Sequence, residues 1–472
     1  MTVALFVVIC VIVVALIFDF TNGFHDSANA MAGPIATGAL TPRIAVLLAA
    51  VLNVVGAMLS TEVAKTISGG FFDDSLVTPQ IVLAGLCGAI VWNLVTWLFG
   101  LPSSSSHALF GGLIGAVIVG AGLASVNYSV VVSKMLLPAV VAPVVAGLAA
   151  AAGIKIADRV TRDVAKKDTK RGYRRAQAFT AAMVALAHGT SDGQKTMGVI
   201  TLVLIAAGLQ ASGTGPQWWV IGTAGLAIGL GTYSGGWRIM RTMGKGIVKI
   251  DTEQGAAAGA ATTATILASS HLGFGLSTTH VSTGSIMGSG VGRKGADVRW
   301  GVARRMVYAW LLTLPAAAIV GGLAALLADQ GMVGTIVLLA LLGISCLIIW
   351  LASRRNQVDR TNVTESPDVL VLNAAKPNKI AKAQRKEAKR REKERLRAEA
   401  VLREAEGLQR SEASDEVAEA GIGSGSGSER PHASATAEQS SAEQRPAEQR
   451  ATERSSEPAR TESYEPTAGE ER

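Results

Sequence analysis

Apolar stretches separated by short polar segments run along the chain from residue 3 to about residue 352. Most of them approach the roughly 20 residues that an α-helix needs to cross the hydrocarbon core of a bilayer. No Lys or Arg precedes the first stretch, so we expect an uncleaved first span rather than a signal peptide. The pattern predicts an all-α polytopic membrane protein, with candidate spans at residues 3–20, 44–61, 81–100, 108–125, 133–153, 178–208, 217–234, 256–272, 276–291, 302–327 and 332–352.

The charged residues give these spans an orientation. The loop at residues 155–176 is strongly basic, and basic loops lie on the cytoplasmic side of a membrane. Counting spans from this loop puts the basic segments 238–249 and 292–305 and the tail from Arg354 inside, and the N-terminus outside. The predicted location is therefore the cell (plasma) membrane. The formal net charge of +8 collects in these loops and the tail, so nucleic acid is not an expected partner.

Two polar motifs each occur twice, in the same order. GFHDSANAMAG at 23–33 matches HGTSDGQKTMG at 188–198, and LPSSSSHALFGGLIGA at 101–116 matches GLSTTHVSTGSIMG at 275–288. An odd number of predicted spans precedes the second copy, so the copies should face opposite ways, as in the inverted-topology repeats of secondary transporters. The predicted organisation is a first transmembrane repeat at 1–154, a cytoplasmic basic loop at 155–177, a second transmembrane repeat at 178–352, a cytoplasmic charged helical segment at 353–410 and a disordered low-complexity tail at 411–472.

Polar, glycine-rich backbone at membrane depth is tolerated only inside protein or beside a water-filled cavity, so each motif should mark a broken helix or a re-entrant hairpin. Helix N-termini at such breaks offer N–H groups and partial positive charge, which suit an oxyanion such as tetrahedral phosphate. Inside the predicted spans, Lys195 is the one basic residue clearly available, so we expect modest affinity. The hydroxyls that could bind the anion are those of Ser104, Ser105, Ser106, Ser277, Thr278 and Thr279.

Asp26 and Asp192 occupy matching positions in the first pair of motifs. A carboxylate repels a phosphate dianion, so each of them needs a cation or a proton between itself and the substrate. Symport meets this need, because the coupled ion neutralises the carboxylates before the anion enters. His25 and His188 could take part in proton transfer, since imidazole titrates near neutrality.

At these four motifs the chain resembles the inorganic phosphate transporter family, whose hallmark is a duplicated Gly-Ala-Asn-Asp-like signature with a Ser/Thr-rich signature ending in His. The resemblance covers about residues 15–350. It implies phosphate symport with sodium or protons, a two-repeat helical fold with re-entrant hairpins and often a dimer. The expected partners are therefore phosphate, the lipid bilayer and a second copy of the chain. Carried over by match, Asp26, Asn29, Asp192 and Gln194 would lie at the centre for phosphate and the coupled ion, with the six Ser and Thr residues on hairpin tips around phosphate.

The chain departs from the signature at the residue before each Asp. His25 and Ser191 stand where the family has Asn, and each change removes an amide oxygen that suits sodium. We therefore expect a co-transported proton, with Asp26, Asp192, His25 and Ser191 as the coupling-ion residues. The GFHD form is similar to bacterial low-affinity transporters that carry phosphate as a neutral metal complex, so a divalent metal bound to phosphate is an alternative form of the substrate. Asn53 occupies a position where many family members have Glu, and it is left out of the predicted site.

Other functions and structural readings remain open. Sodium coupling, or transport of another oxyanion such as sulfate, fits the same motifs. A membrane-embedded metal hydrolase is less favoured, because the chain lacks an HExxH-type cluster, and no enzyme activity, resident cofactor or metal site is expected. The serine run could cap a helix, and the glycines after each motif histidine could serve close helix packing. His107 and His280 could hold the hairpins by hydrogen bonds.

The tail is a separate region. Residues 379–410 are rich in helix formers with charges of both signs, which predicts a solvated helix. From about Ser411 the composition is that of a disordered segment. An inert extension and a tether to anionic lipid or to a regulator both fit this sequence.

Overall fold

The computed structural model describes residues 3–364 except residues 74, 294, 296 and 297. Within these residues the fold is helical, and β structure is limited to two isolated bridges. The predicted charged helical segment at 353–410 lies outside the described residues from residue 365 onward, and so does the whole predicted tail at 411–472.

The helices follow the apolar stretches of the sequence. In the first half they are α1 (Val3–Ala36), α2 (Pro42–Ala57), α3 (Glu62–Gly70), α4 (Pro79–Leu98), α5 (Ser105–Ala121), α6 (Tyr128–Val130) and α7 (Leu137–Val160). In the second half they are α8 (Lys166–Ala206), α9 (Trp218–Ser234), α10 (Trp237–Arg241), α11 (Thr252–His271), α12 (Thr278–Gly292), α13 (Trp300–Ala328) and α14 (Gly331–Ser353).

The prediction of membrane-spanning helices is confirmed, but the described residues contain fewer spans than predicted. Among the described residues, the segments long and apolar enough to span are Leu5–Ala36, Pro79–Leu98, Tyr128–Val160, Trp300–Ala328 and Gly331–Ser353. A sixth arises if α2 and α3, which meet at a bend of 62°, are counted as one span. The sequence pattern predicted more spans, because it included short apolar helices such as α5 and helices rich in polar residues such as α8 and α11.

Two of the four motifs do not interrupt a helix. Residues 23–33 lie inside α1, and residues 188–198 lie inside α8. The expectation of a break at every motif was therefore wrong for this pair. Asp26 and Asp192 are buried between helices, where side chains of neighbouring helices satisfy them without freeing any backbone group.

The other two motifs lie where one helix ends and the next begins. α4 packs against α5 as a hairpin, and α11 packs against α12 in the same way. Ser104 and Ser277 precede α5 and α12 with nearly the same backbone, φ −94° and ψ 107° against φ −92° and ψ 111°. Each Oγ accepts a hydrogen bond from a backbone N–H three residues later, that of His107 at 3.1 Å and that of His280 at 3.3 Å. The capping interpretation of the serine run is confirmed at Ser104, and Ser277 caps α12 in the same way. The opposite orientation of the two copies stays a prediction.

Each hairpin packs on a helix from the other half of the chain. α5 lies against α13, and α12 lies against α7. A Cβ on Gly115 would lie 2.0 Å from the carbonyl oxygen of Ala318, and a Cβ on Gly288 would lie 2.0 Å from that of Gly147. The same restriction holds one turn earlier, at Gly111 and Gly284. The repeated glycines therefore serve close helix packing, as their spacing indicated.

Candidate functional site

The two carboxylates meet between α1 and α8. Asp26 on α1 and Asp192 on α8 are both buried, and ligand atoms of Asp26, His188 and Asp192 all lie within 4.8 Å of one another. The start of α12 reaches the same place, because Thr278 Oγ1 lies 3.4 Å from Asp26 Oδ2 and 3.2 Å from Asp192 Oδ2. Ser105 at the start of α5 also contacts Asp26. The structure thus brings all four motifs together.

Hydrogen-bond donors surround Asp26. Its Oδ2 accepts from Ser105 Oγ at 2.7 Å, and its Oδ1 accepts from Thr279 Oγ1 at 3.3 Å. His25 Nδ1 lies 2.6 Å from Oδ1, and His188 Nε2 lies 3.8 Å from Oδ2. Hydroxyls from both hairpins therefore point at one carboxylate.

Asp192 is held mainly by a buried lysine that the predicted site did not include. Lys195 Nζ donates to Asp192 Oδ1 at 2.6 Å and to Ser106 Oγ at 2.5 Å. His188 Nε2 lies 3.5 Å from Asp192 Oδ2. The spacing of three residues from Asp192 to Lys195 on a helix was the sequence signal for this pair, since it places both side chains on one face.

A second layer of polar groups holds the two histidines. His25 Nε2 lies 3.3 Å from Ser103 Oγ. His188 Nδ1 lies 3.1 Å from Asn53 Oδ1, and Asn53 Nδ2 donates to Thr232 Oγ1 at 2.7 Å. Asn53, which the sequence prediction left out, therefore belongs beside the carboxylates as the residue that orients His188.

The remaining residues of the duplicated Asp motif have different positions. Asn29 Nδ2 donates to Thr279 Oγ1 at 3.1 Å, so Asn29 joins α1 to the start of α12. Ser191 is buried beside Asp192, and its hydroxyl has no hydrogen-bond partner among the described residues. Gln194 departs from the prediction, because its Oε1 accepts from the backbone N–H of Val63 at 2.8 Å. Its amide therefore caps the start of α3 and does not face the carboxylates.

The six predicted hydroxyls divide into three groups. Ser105, Thr278 and Thr279 contact the carboxylates. Ser106 donates to the carbonyl oxygen of Leu276 at 3.1 Å and accepts from Lys195, so it links the two hairpins to the buried ion pair. Ser104 and Ser277 cap their helices through their side chains.

The motif histidines join the hairpins by ring contact. The ring centroids of His107 and His280 are 4.9 Å apart, and those of His280 and Trp310 are 4.1 Å apart. Trp310 Nε1 donates to the carbonyl oxygen of Pro102 at 3.0 Å. His280 Nδ1 also lies 3.4 Å from the carbonyl oxygen of Ala139, so the expected hydrogen bond holds α12 to α7, and the tilted ring contacts join the two hairpins.

A small cavity lies beside Asn29, and its lining does not include Asp26 or Asp192. This cavity of about 30 Å³ is lined by Asn29, Gly33, Gln177 and Ser282, among others, and has room for about one water molecule. Two carboxylates and an imidazole form a donor set that can hold a small cation, and the same groups can exchange protons. The chemistry available here is therefore that of a buried site for an ion or a proton, with hydroxyl donors around it.

Comparisons with known proteins identify a family. The profile of the Phosphate transporter family matches residues 22–321. A probable low-affinity inorganic phosphate transporter of Mycobacterium bovis is 55% identical over 366 residues, which are 77% of this chain and 88% of that protein. One from Bacillus subtilis is 41% identical over 326 residues, which are 69% of this chain and 98% of that protein.

A solved structure supports the fold. A protein described as the sodium-dependent phosphate transporter aligns with a TM-score of 0.64 at 24% identity, covering 69% of this chain and all of that one. The profile match extends over more than half of the chain and includes both carboxylates and both hairpins. The chain therefore belongs to the phosphate transporter family, and it is a multi-pass membrane protein that transports phosphate.

Proposed function

We propose that this phosphate transporter imports inorganic phosphate together with protons, by alternating access. The observation that supports this most directly is the direction of the hairpin hydroxyls. Ser105 and Thr279 donate to Asp26, and Thr278 lies within hydrogen-bond reach of both carboxylates. Phosphate and the carboxylates therefore compete for the same donors.

A proton changes the outcome of this competition. Each hydroxyl has one hydrogen to donate, so a hydroxyl that is bonded to Asp26 cannot donate to phosphate. Hydrogen bonds to charged groups contribute roughly 1.5–3 kcal/mol each, and an anion entering the ionised site would have to replace about three of them. It would also be repelled by two carboxylates. Protonation weakens the carboxylates as acceptors and removes the repulsion, so proton and phosphate bind together.

The basic side chains around Asp26 and Asp192 support coupling to protons rather than to sodium at this site. His25 Nδ1 and Lys195 Nζ each lie 2.6 Å from a carboxylate oxygen, and His188 lies between the two carboxylates. These groups occupy oxygen lone pairs that a sodium ion would need as ligands. The solved structure with a similar fold is described as sodium-dependent, so sodium coupling is the alternative that an experiment must separate.

The form of the substrate and the orientation belong to the same proposal. A neutral complex of phosphate with a divalent metal would be repelled less by Asp26 and Asp192. Uptake of the metal and phosphate in a fixed ratio would identify this complex as the substrate.

The basic loop at 155–176 supports a plasma-membrane orientation with the N-terminus outside and the tail inside. A homodimer is proposed from the family resemblance alone.

The test is uptake of radiolabelled phosphate into liposomes that contain the purified protein, with one ion gradient imposed at a time. An inward proton gradient in sodium-free buffer should drive uptake, and a protonophore should abolish it. Uptake that requires a sodium gradient and ignores the protonophore would contradict proton coupling. Sulfate does not carry a proton at neutral pH, so it should not compete in a proton-coupled phosphate site. Competition by excess sulfate would therefore contradict specificity for phosphate.

A pair of variants tests the role of the hairpin hydroxyls. Ser105→Ala should raise the KM for phosphate, because the lost hydrogen bond is worth about 0.5–1.5 kcal/mol, or roughly a two- to tenfold change. Ser289→Ala is the matched control, since this buried α12 hydroxyl donates to the carbonyl oxygen of Ile286 at 2.9 Å, within its own helix. An unchanged KM in Ser105→Ala would move the anion site away from the hairpin.

A further inference from the structure

A second buried acid lies on α1 about two turns before the carboxylate cluster. Asp19, Asn22 and Asp26 are spaced three and four residues apart, so their side chains share one face of the helix. At 1.5 Å of rise per residue, Asp19 lies about 10 Å from Asp26 along the helix. Asp19 is 0% exposed, and so is Asn22. This acid is therefore separate from the site described above, and the proposed symport gives it no role.

The polar atoms around Asp19 lie near one another, but they form no hydrogen bond of good geometry among the described residues. Asn22 and Thr196 are its polar neighbours, and Thr196 lies on α8 one turn after Asp192. Among the described residues, both carboxylate oxygens of Asp19, the side-chain oxygen and nitrogen of Asn22 and the Thr196 hydroxyl lack a hydrogen-bond partner. The nearest charged or titratable groups, Asp192 and His188, belong to the other cluster. A buried carboxylate in this condition is strongly unfavourable unless something neutralises it.

A further unpaired amide lies on α4, a helix that packs against α1. Asn93 is fully buried, and neither its side-chain oxygen nor its nitrogen has a partner among the described residues. It lies one turn before Thr96, whose hydroxyl contacts Ser103 at 2.7 Å, and Ser103 in turn contacts His25. Asn22 precedes His25 by one turn on α1, which packs against α4. Asn22 and Asn93 therefore each lie one turn before a residue of the chain of contacts His25–Ser103–Thr96.

The set of unpaired atoms distinguishes between possible ligands. A proton on Asp19 would neutralise the acid, but it would donate a hydrogen bond to a single acceptor, Asn22 Oδ1 or Thr196 Oγ1. A divalent cation would leave a net positive charge in the protein interior, because only one carboxylate faces it. A sodium ion neutralises Asp19 and accepts several oxygen ligands at once, from the carboxylate, an amide and a hydroxyl.

We propose that Asp19, Asn22 and Thr196 form a second cation site, which binds one sodium ion and is distinct from the Asp26–Asp192 cluster. The second repeat has no matching acid, since the register that pairs Asp26 with Asp192 places Ala185 opposite Asp19. The proposed sodium site therefore differs between the two repeats. The difference between Asp19 and Ala185 is the sequence signal that could have indicated the site.

The test is sodium binding to the purified full-length protein in detergent, without phosphate, so that it does not depend on the proposed proton symport. Sodium chloride replaces choline chloride at constant ionic strength, and thermal unfolding is followed by tryptophan fluorescence. A ligand that binds only the folded protein raises its unfolding temperature in a concentration-dependent way. Sodium should stabilise the wild type, and potassium and magnesium should do so less.

Variants locate the ion. Asp19→Asn should raise the sodium concentration at half-effect by about tenfold or more, as expected for loss of a charged ligand. Thr196→Val, which keeps the charge and nearly the shape, should raise it severalfold and serves if Asp19→Asn does not fold. Asp26→Asn should keep the sodium response, and Asp329→Asn, which removes an exposed acid, is the matched control.

Several results would overturn the proposal. They are an absence of sodium stabilisation in the wild type, a stabilisation that follows pH equally in sodium and choline, or a sodium response unchanged in both Asp19→Asn and Thr196→Val. A response that is lost in Asp26→Asn and kept in Asp19→Asn would place the ion in the other cluster.

Discussion

Replacing Lys195 by Met tests whether the buried ion pair holds the centre of the protein together. Lys195 Nζ lies 2.6 Å from Asp192 Oδ1, and the two side chains are 1% and 0% exposed. Without the lysine, the side-chain contacts left to Asp192 among the described residues would be Thr278 at 3.2 Å and His188 at 3.5 Å. Removing one partner of a buried ion pair costs about 3–5 kcal/mol, because the other charge stays buried and uncompensated. We expect a loss of this size in the free energy of unfolding.

The assay is denaturant unfolding in detergent, read by tryptophan fluorescence, for Lys195→Met, Asp192→Asn and the double variant. Because the double variant buries no unpaired charge, it should recover most of the stability lost in Lys195→Met. The coupling between the two changes in the double-mutant cycle measures the pair itself.

An exposed ion pair in the same chain supplies the control. Lys65 Nζ lies 2.8 Å from Glu62 Oε1, but these side chains are 51% and 52% exposed. Lys65→Met should therefore change the free energy of unfolding by no more than about 1 kcal/mol. Equal effects of Lys195→Met and Lys65→Met, or additive effects of Lys195→Met and Asp192→Asn, would refute the reasoning from burial.

Three further outcomes are expected. Asp26→Asn should abolish phosphate uptake while the protein still inserts, since it removes the charge with little change of shape; normal uptake would make this carboxylate structural. Gly288→Ala should lower the yield of folded protein, because its Cβ would lie 2.0 Å from a backbone carbonyl oxygen, whereas Gly222→Ala, with nothing within 4 Å, should not; equal yields would contradict the close packing of α12 on α7. A single cysteine at Asp73 should react with an impermeant reagent from outside, and one at Lys167 only from inside; labelling of the latter from outside would overturn the predicted orientation.

The hairpins and the carboxylates could be predicted from sequence because their signals are local or repeated. The serine run after Pro102 indicated a possible helix cap, and the structure has that cap at Ser104 and a matching one in the second copy at Ser277. The pairing of Asp26 with Asp192 rested on the duplication, and the two side chains meet in space. In these cases the residue type and its spacing fix the local geometry.

Other features depend on packing between distant segments. Hydropathy cannot separate a broken helix from a continuous helix whose polar residues find partners on its neighbours, so α1 and α8 were expected to break. Gln194 fits an anion site by type, but α3 packs on that face of α8 and its backbone N–H groups take the amide oxygen. Asp19 has no matching acid in the second repeat, so an analysis based on the duplicated motifs did not identify it.

The exchange of packing between the halves has a consequence for the order in which the protein is made. α5 is complete about 180 residues before α13 begins, which corresponds to roughly 10–40 s of synthesis at 5–20 residues per second. During that time the glycine face of α5 lacks its packing partner α13. In the same way, α7 lacks its partner α12 until that helix has been synthesised. The first half of the nascent chain therefore leaves the ribosome as an incomplete structure, and the last helices synthesised close the packing of the first.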